Sequence, residues 1–222
     1  MSRNPAMDAA RVEKTKQRML EAGFRKFSAC GIEPVSMPEF AKEFGMARSM
    51  FYLYFPTKLD FAIAISAYAW NSFNQQKYEE TYAWAGSAAE RYRFWLDSFL
   101  ELYREHQDLL RYNQFFNVYV ANKEIPDEQM EPFNRVIKAL EARFHGLYEL
   151  GKRDGTLKTK IPEEEIFSTT LHLMLAATTR YAVGLVYESR DSEKELERLK
   201  EMLMREFTKQ GEPVDRDEEK SD

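Results

Sequence analysis

Glycine and proline punctuate this chain sparsely, and their positions decide what it can become. Nine Gly and eight Pro occur in 222 residues. Most sit where one run stops and another begins: Gly31, Pro34, Pro56, Gly86, Pro126, Gly155, Pro162, Gly211 and Pro213. Between these breaks apolar residues recur three and four positions apart, the repeat of a helix with one buried face. Alternating runs of β-branched residues are absent, so strands are not expected. The spacing predicts helices near 9–30, 37–44, 47–54, 57–82, 88–105, 107–122, 128–152, 163–188 and 192–209. Arg153 to Pro162 reads as a polar loop. Residues 211–222, with six acids, two bases and no aromatic, read as a disordered acidic tail. The expected fold class is all-α.

Hydrophobic residues at 44% and aromatics at 14% are enough for a sizeable core. A single cysteine, Cys30, excludes an internal disulfide and fits a reducing cytoplasm. It reads as a small apolar packer at a helix end. No basic-then-apolar N-terminal stretch suggests a signal peptide, and no apolar run is long enough to span a membrane. The net charge of −5 argues at first against nucleic acid, but its distribution is uneven. Residues 1–60 carry 10 Lys and Arg against 7 Asp and Glu, and the remainder carries 22 against 30. A basic head on an acidic body suits a DNA-binding module joined to something else.

Catalytic chemistry has little to stand on. His106, His145 and His172 are far apart, and H-E-x-x-H, Gly-rich phosphate loops and nucleophile elbows are all missing. No catalytic residue, metal site or cofactor is expected.

The second and third helices are short and separated by Gly45, after a long first helix, which is helix-turn-helix spacing. Ser36 reads as an N-cap and Glu39 completes a capping box, with Pro38 tolerated in the first turn. Phe51 and Phe55 share one face, as an i, i+4 pair does, and with Phe40, Ala41, Phe44 and Met46 they close a core against the first helix. Ser49, Met50 and Leu53 then face outward. Apolar side chains exposed on so short a helix suit a DNA major groove, where they meet thymine methyl groups.

The string from Met19 to Phe61 resembles the TetR family of repressors. Ala22, Phe27 and Gly31 match its first-helix signature. Ser36, Met37, Phe40 and Ala41 match its second helix, Gly45-Met46-Ala47 its turn, and Phe51-Tyr52, Tyr54-Phe55 and Lys58 the recognition helix and the start of the next. The resemblance implies that Arg48, Ser49, Met50 and Leu53 face base edges. It implies that Tyr52, Tyr54, Lys58 and the Ser36, Met37 and Pro38 helix start hold phosphates, which fix register without reading sequence. Ser49 departs from the pattern, standing where a Gly is common.

Beyond residue 56 the fifth and sixth helices are dense in aromatics with amides between them. An apolar wall with a few polar groups suits a small-molecule pocket, and family members commonly bind an inducer here. Trp95, Phe99, Tyr103, Asn113, Phe115, Phe116, Asn117 and Tyr119 are the expected lining. Arg180, isolated in an apolar helix, is expected to need an acidic partner, on the ligand or within the chain. Leu171 to Tyr187 is apolar nearly all round, so it should be covered on every side. The resemblance implies a four-helix dimer interface, with Ala176, Ala177 and Gly184 from the eighth helix and Leu196, Leu199 and Leu203 from the ninth.

The expected organisation is a DNA-binding head at 1–56, a regulatory and dimerisation body at 57–210 and the tail at 211–222. The expected function is a cytoplasmic homodimeric regulator binding double-stranded DNA with an inverted repeat, released by a small apolar inducer. The alternative is an α-helical ligand-binding or enzymatic protein whose head has lost specific DNA binding.

Overall fold

The computed structural model describes residues 5–82, 86–184 and 191–209, and these hold nine helices and no strand. They are α1 (Pro5–Cys30), α2 (Met37–Glu43), α3 (Arg48–Tyr54), α4 (Lys58–Tyr82), α5 (Ala88–Glu105), α6 (Gln107–Val120), α7 (Asp127–Asp154), α8 (Glu163–Val183) and α9 (Ser192–Phe207). The acidic tail expected at 211–222 and the expected end of the eighth helix beyond Gly184 lie outside the described residues. α7 runs through Pro132, close enough to its start that little of the helix precedes the missing N–H. Among the described residues no helix is long and apolar enough to cross a membrane.

Two compact units form: Met1–Gln76 with Glu105–Lys138, and Lys77–Arg104 with Ala139–Asp222. The first is built around Phe61, in the first turn of α4 and fully buried. Its ring lies 5.6 Å from Phe27 of α1, 5.3 Å from Phe40 of α2, 5.1 Å from Phe51 of α3 and 4.7 Å from Phe55. Offset and edge-on aromatic pairs of this kind each contribute about 0.5–1.5 kcal/mol beyond the area they bury. α6 joins the same core. Its Tyr112 donates a hydrogen bond to the Ala62 carbonyl oxygen at 2.6 Å, stacks against Phe116 and tilts against Phe24. Burial pushes the Tyr112 phenol well above its ordinary pKa. The expected partners Ala41 (buried), Phe44 and Met46 (half-buried) pack here too. Val12 on α1 is exposed. So is Cys30; it is not the packer expected.

The second unit packs α5, α8 and α9 through matched polar and aromatic contacts. Tyr92 and Thr170 share a buried hydrogen bond at 2.7 Å, and the Trp95 ring lies parallel to Phe167 at 5.8 Å with Phe144 against both. Ser87 and Glu90 form a reciprocal capping box at the start of α5. From the end of α7 and the loop after it, Asp154 and Thr156 accept the Ala88 and Ala89 N–H groups at 2.7 and 3.0 Å. The loop expected to be merely polar also makes one antiparallel bridge, Leu157 to Thr208.

Gly23 explains why Phe61 fits. A Cβ added at Gly23 would lie 2.4 Å from Phe61 Cζ and 2.6 Å from Ile65 Cδ1. Alanine gains about 1 kcal/mol in helix propensity, but overpacking a ring hemmed in by four others costs roughly 1–3 kcal/mol. Gly23→Ala is therefore expected to lower stability by about 1 kcal/mol, read as a lower urea midpoint at unchanged slope. A raised midpoint would show that α1 and α4 separate at no cost.

Candidate nucleic-acid interface

Two seven-residue helices carry the candidate interface. α2 begins at Ser36, whose backbone is extended (φ −77, ψ 122) and whose hydroxyl accepts the Glu39 N–H at 3.4 Å, as an N-cap does. α2 stops at Gly45, in the left-handed region with φ +78. Met46 N–H returns to the Ala41 carbonyl at 2.9 Å and Gly45 N–H to that of Lys42 at 3.0 Å, the paired bonds of a Schellman cap. A side chain at 45 would meet nothing within 4 Å, so glycine is required there by backbone conformation alone, at roughly 1–2 kcal/mol. Ala47 is extended and α3 starts at Arg48.

α3 is held from one side only. Phe51 within it and Phe55 just after it are buried in the first unit's core. The helical period then turns Arg48, Ser49, Met50 and Leu53 outward, and all four are exposed. Leu53 is 77% exposed and Met50 46%, more than burial alone explains for apolar side chains so close to a core. Tyr52 and Tyr54 are half-buried on the flanks. The Arg48 guanidinium lies 5.5 Å from the centroid of the Tyr52 ring, so a cation–π contact orients it along the helix.

Lys58 opens α4 and donates to the Glu33 carbonyl oxygen at 2.7 Å, tying α4 to the loop that leads into α2. Burial lowers its pKa; the Glu33 carboxylate opposes that shift and Lys123 adds to it. Of the expected α2 contacts, Ser36 is half-buried and Pro38 exposed, but the Met37 side chain is buried. Met37 anchors the helix start and offers a partner only its backbone.

The expected ligand residues divide between the two units. Trp95 and Phe99 lie 5.8 Å apart in the second, where the Tyr103 hydroxyl pairs with that of Ser192 at 2.6 Å. Asn113 and Phe116 are buried in the first unit; Phe116 is packed between Tyr112 and Phe133. Phe115 lies against Gly31, Asn117 is exposed, and Tyr119 is half-buried beside Lys58. Arg180 is exposed, so the burial expected to demand an acidic partner is absent from the single chain.

The expected dimer residues also divide. Ala176 and Gly184 are exposed and Ala177 half-buried. Leu196 and Leu203 are buried within their own chain and Leu199 is half-buried. Leu196 and Leu203 are therefore corrected to core residues: they lie on the face of α9 shared with Met204 and Phe207. The exposed apolar group on α9 is Met202.

Residues 19–65 match the tetR family of bacterial regulatory proteins. No curated protein matches the chain in sequence. Among solved structures, a TetR transcription regulator from Haloarcula marismortui superposes with a TM-score of 0.71 at 15% identity, over 89% of this chain and 100% of its own. The transcriptional regulator FadR from Bacillus subtilis, in complex with stearoyl-CoA, gives 0.68 at 17% identity, over 85% and 97%. AibR, in complex with isovaleryl coenzyme A and operator DNA, gives 0.65 at 16% identity, over 86% and 98%. Through residues 19–65, which hold the helix-turn-helix, the chain is similar to the tetR family of bacterial regulatory proteins.

Proposed function

We propose that this regulator is a cytoplasmic homodimeric repressor that reads an inverted-repeat operator through α3 and is released by a small apolar molecule. One observation carries the DNA reading: α3 turns Arg48, Met50 and Leu53 into solvent while Phe51 alone anchors it from within. Leucine and methionine discriminate bases by touching thymine methyl groups, and arginine grips guanine O6 and N7. The preferred half-site then holds thymines flanked by a guanine, repeated about a two-fold axis. Residues 1–56 act as the head and 57–210 as the regulatory body. The ligand reading rests on Trp95, Phe99 and Tyr103, an aromatic set fit for an apolar group such as the acyl chains bound by two of the similar regulators.

Dimerisation is proposed through the outward stripe of α8. Leu173, Ala176, Arg180 and Val183 recur at alternating three- and four-residue steps and are all exposed, while Ile166, Thr170, Met174 and Thr178 face the chain's own core. Helices pack through such a seam, and Met202 and Leu199 extend it on α9.

Gel-shift titration against the chain's own upstream DNA and a random duplex tests the DNA reading. Arg48→Ala and Leu53→Ala are expected to relax sequence preference, each costing about 1–3 kcal/mol on the correct site. Neither should disturb folding. Tyr52→Phe, Tyr54→Phe and Lys58→Ala are expected to weaken both duplexes alike. A change of preferred sequence in Lys58→Ala with none in Leu53→Ala would reverse the assignment of bases and phosphates.

Sedimentation tests the assembly. The parent chain is expected to run as a dimer at micromolar concentration, Ala176→Glu as a folded monomer, and Leu196→Ala as a less stable dimer. A monomeric parent chain would sink the dimer reading.

A further inference from the structure

Tyr119, first expected in a ligand pocket, instead carries two cations. The Lys58 ammonium lies 5.8 Å from the centroid of its ring and the Lys123 ammonium 4.3 Å from it. The three residues come from different places in the chain. Lys58 opens α4, Tyr119 is in the last turn of α6, and Lys123 sits in the turn after α6, held by its N–H to the Val120 carbonyl at 3.0 Å. Lys58 is also fixed by the Glu33 carbonyl, three residues before the Ser36 cap of α2. We propose that Lys123 is a further phosphate-contacting residue of the DNA interface, and that Tyr119 is the positioning residue that sets Lys123 and Lys58 side by side. The proposal rests on the DNA-binding reading of α3.

The physical case is one of unspent charge. Each ammonium is attracted to the ring face, but two like charges on one ring repel. Among the described residues neither lysine forms an ion pair. The Glu33 carboxylate is felt by both Lys58 and Tyr119. Lys123 is exposed, so its ammonium is open to an anion from outside the chain. An anion with several oxygens can accept from both lysines at once and turn their repulsion into attraction. A phosphodiester is such an anion, and phosphate contacts made by lysine hold a protein on DNA without reading its sequence. Lys58 reaches the cluster from the helix-turn-helix side, so a duplex held by α3 is the source that meets both lysines together.

Tyr119 contributes through its ring rather than its hydroxyl. Burial raises its phenol pKa, and Glu33 adds to the shift, so the hydroxyl stays neutral and the ring face stays available to the cations.

The test measures binding of the full chain to its upstream DNA and to a random-sequence duplex across a series of KCl concentrations. Lys123→Gln is expected to weaken both duplexes alike and to make the slope of log K against log salt shallower by about 0.9, while Lys123→Arg keeps the parent slope. Tyr119→Phe is expected to match the parent, and Tyr119→Leu to lose slope although both lysines remain. Glu33→Gln is expected to bind both duplexes more tightly, an effect that loss of a merely structural contact would not give. A parent-like slope in Lys123→Gln, with sequence preference still changed by Leu53→Ala, overturns this inference and leaves the DNA reading standing. A parent chain that binds neither duplex overturns both.

Discussion

The first unit depends on a single ring. Phe61 stands in the first turn of α4 and meets one aromatic from each of α1, α2 and α3, with Phe55 from the segment after α3. The contacts exist because Gly23 leaves the space that any side chain would occupy. α3 is too short to fix its own orientation: seven residues give two turns, and an isolated helix of that length is not stable in water. Its direction is set by Phe51 and Phe55 against Phe61. Rotating α3 by one residue, about 100°, would withdraw Phe51 and bring Met50 or Tyr52 inward. The outward face proposed to meet DNA is thus the geometric remainder of an inward face fixed by aromatic packing.

Local signals made much of this legible in the sequence, and distant ones did not. The Ser36 cap and the break at Gly45 act within a few residues, so their residue types announce them, and both stand in the structure as expected. The outward turn of Met50 and Leu53 followed from Phe51 and Phe55 by helical period alone. Phe61 as the centre was not read, because that role requires four partners from distant stretches. Gly23 was the available signal: a glycine inside a helix costs about 1 kcal/mol against alanine, and such a cost points to a close approach. The aromatics of α6 misled for the opposite reason. Composition places Phe115, Phe116 and Tyr119 in some apolar setting, but only the fold shows that this setting is the core around Phe61. In the ninth helix, periodicity put Leu196 and Leu203 on one face without saying whether that face meets its own chain or another.

The two proposed kinds of DNA contact are also supported differently. Arg48, Met50 and Leu53 are exposed on α3, so changing them is expected to alter what is read and to leave the fold as it was. Lys58 has no such independence. Its ammonium fastens α4 to the Glu33 carbonyl and shares the Tyr119 ring with Lys123, and in its proposed role it also holds a phosphate. A residue that holds a loop and a phosphate together must keep one position for both tasks, and the half-buried setting that lowers its pKa also restrains it. On the proposed reading, the base-reading positions can change with little effect on this scaffold, while the phosphate-holding positions are constrained by the packing of α4, α6 and the loop before α2. Register on the duplex then stays fixed while the sequence preferred by α3 changes.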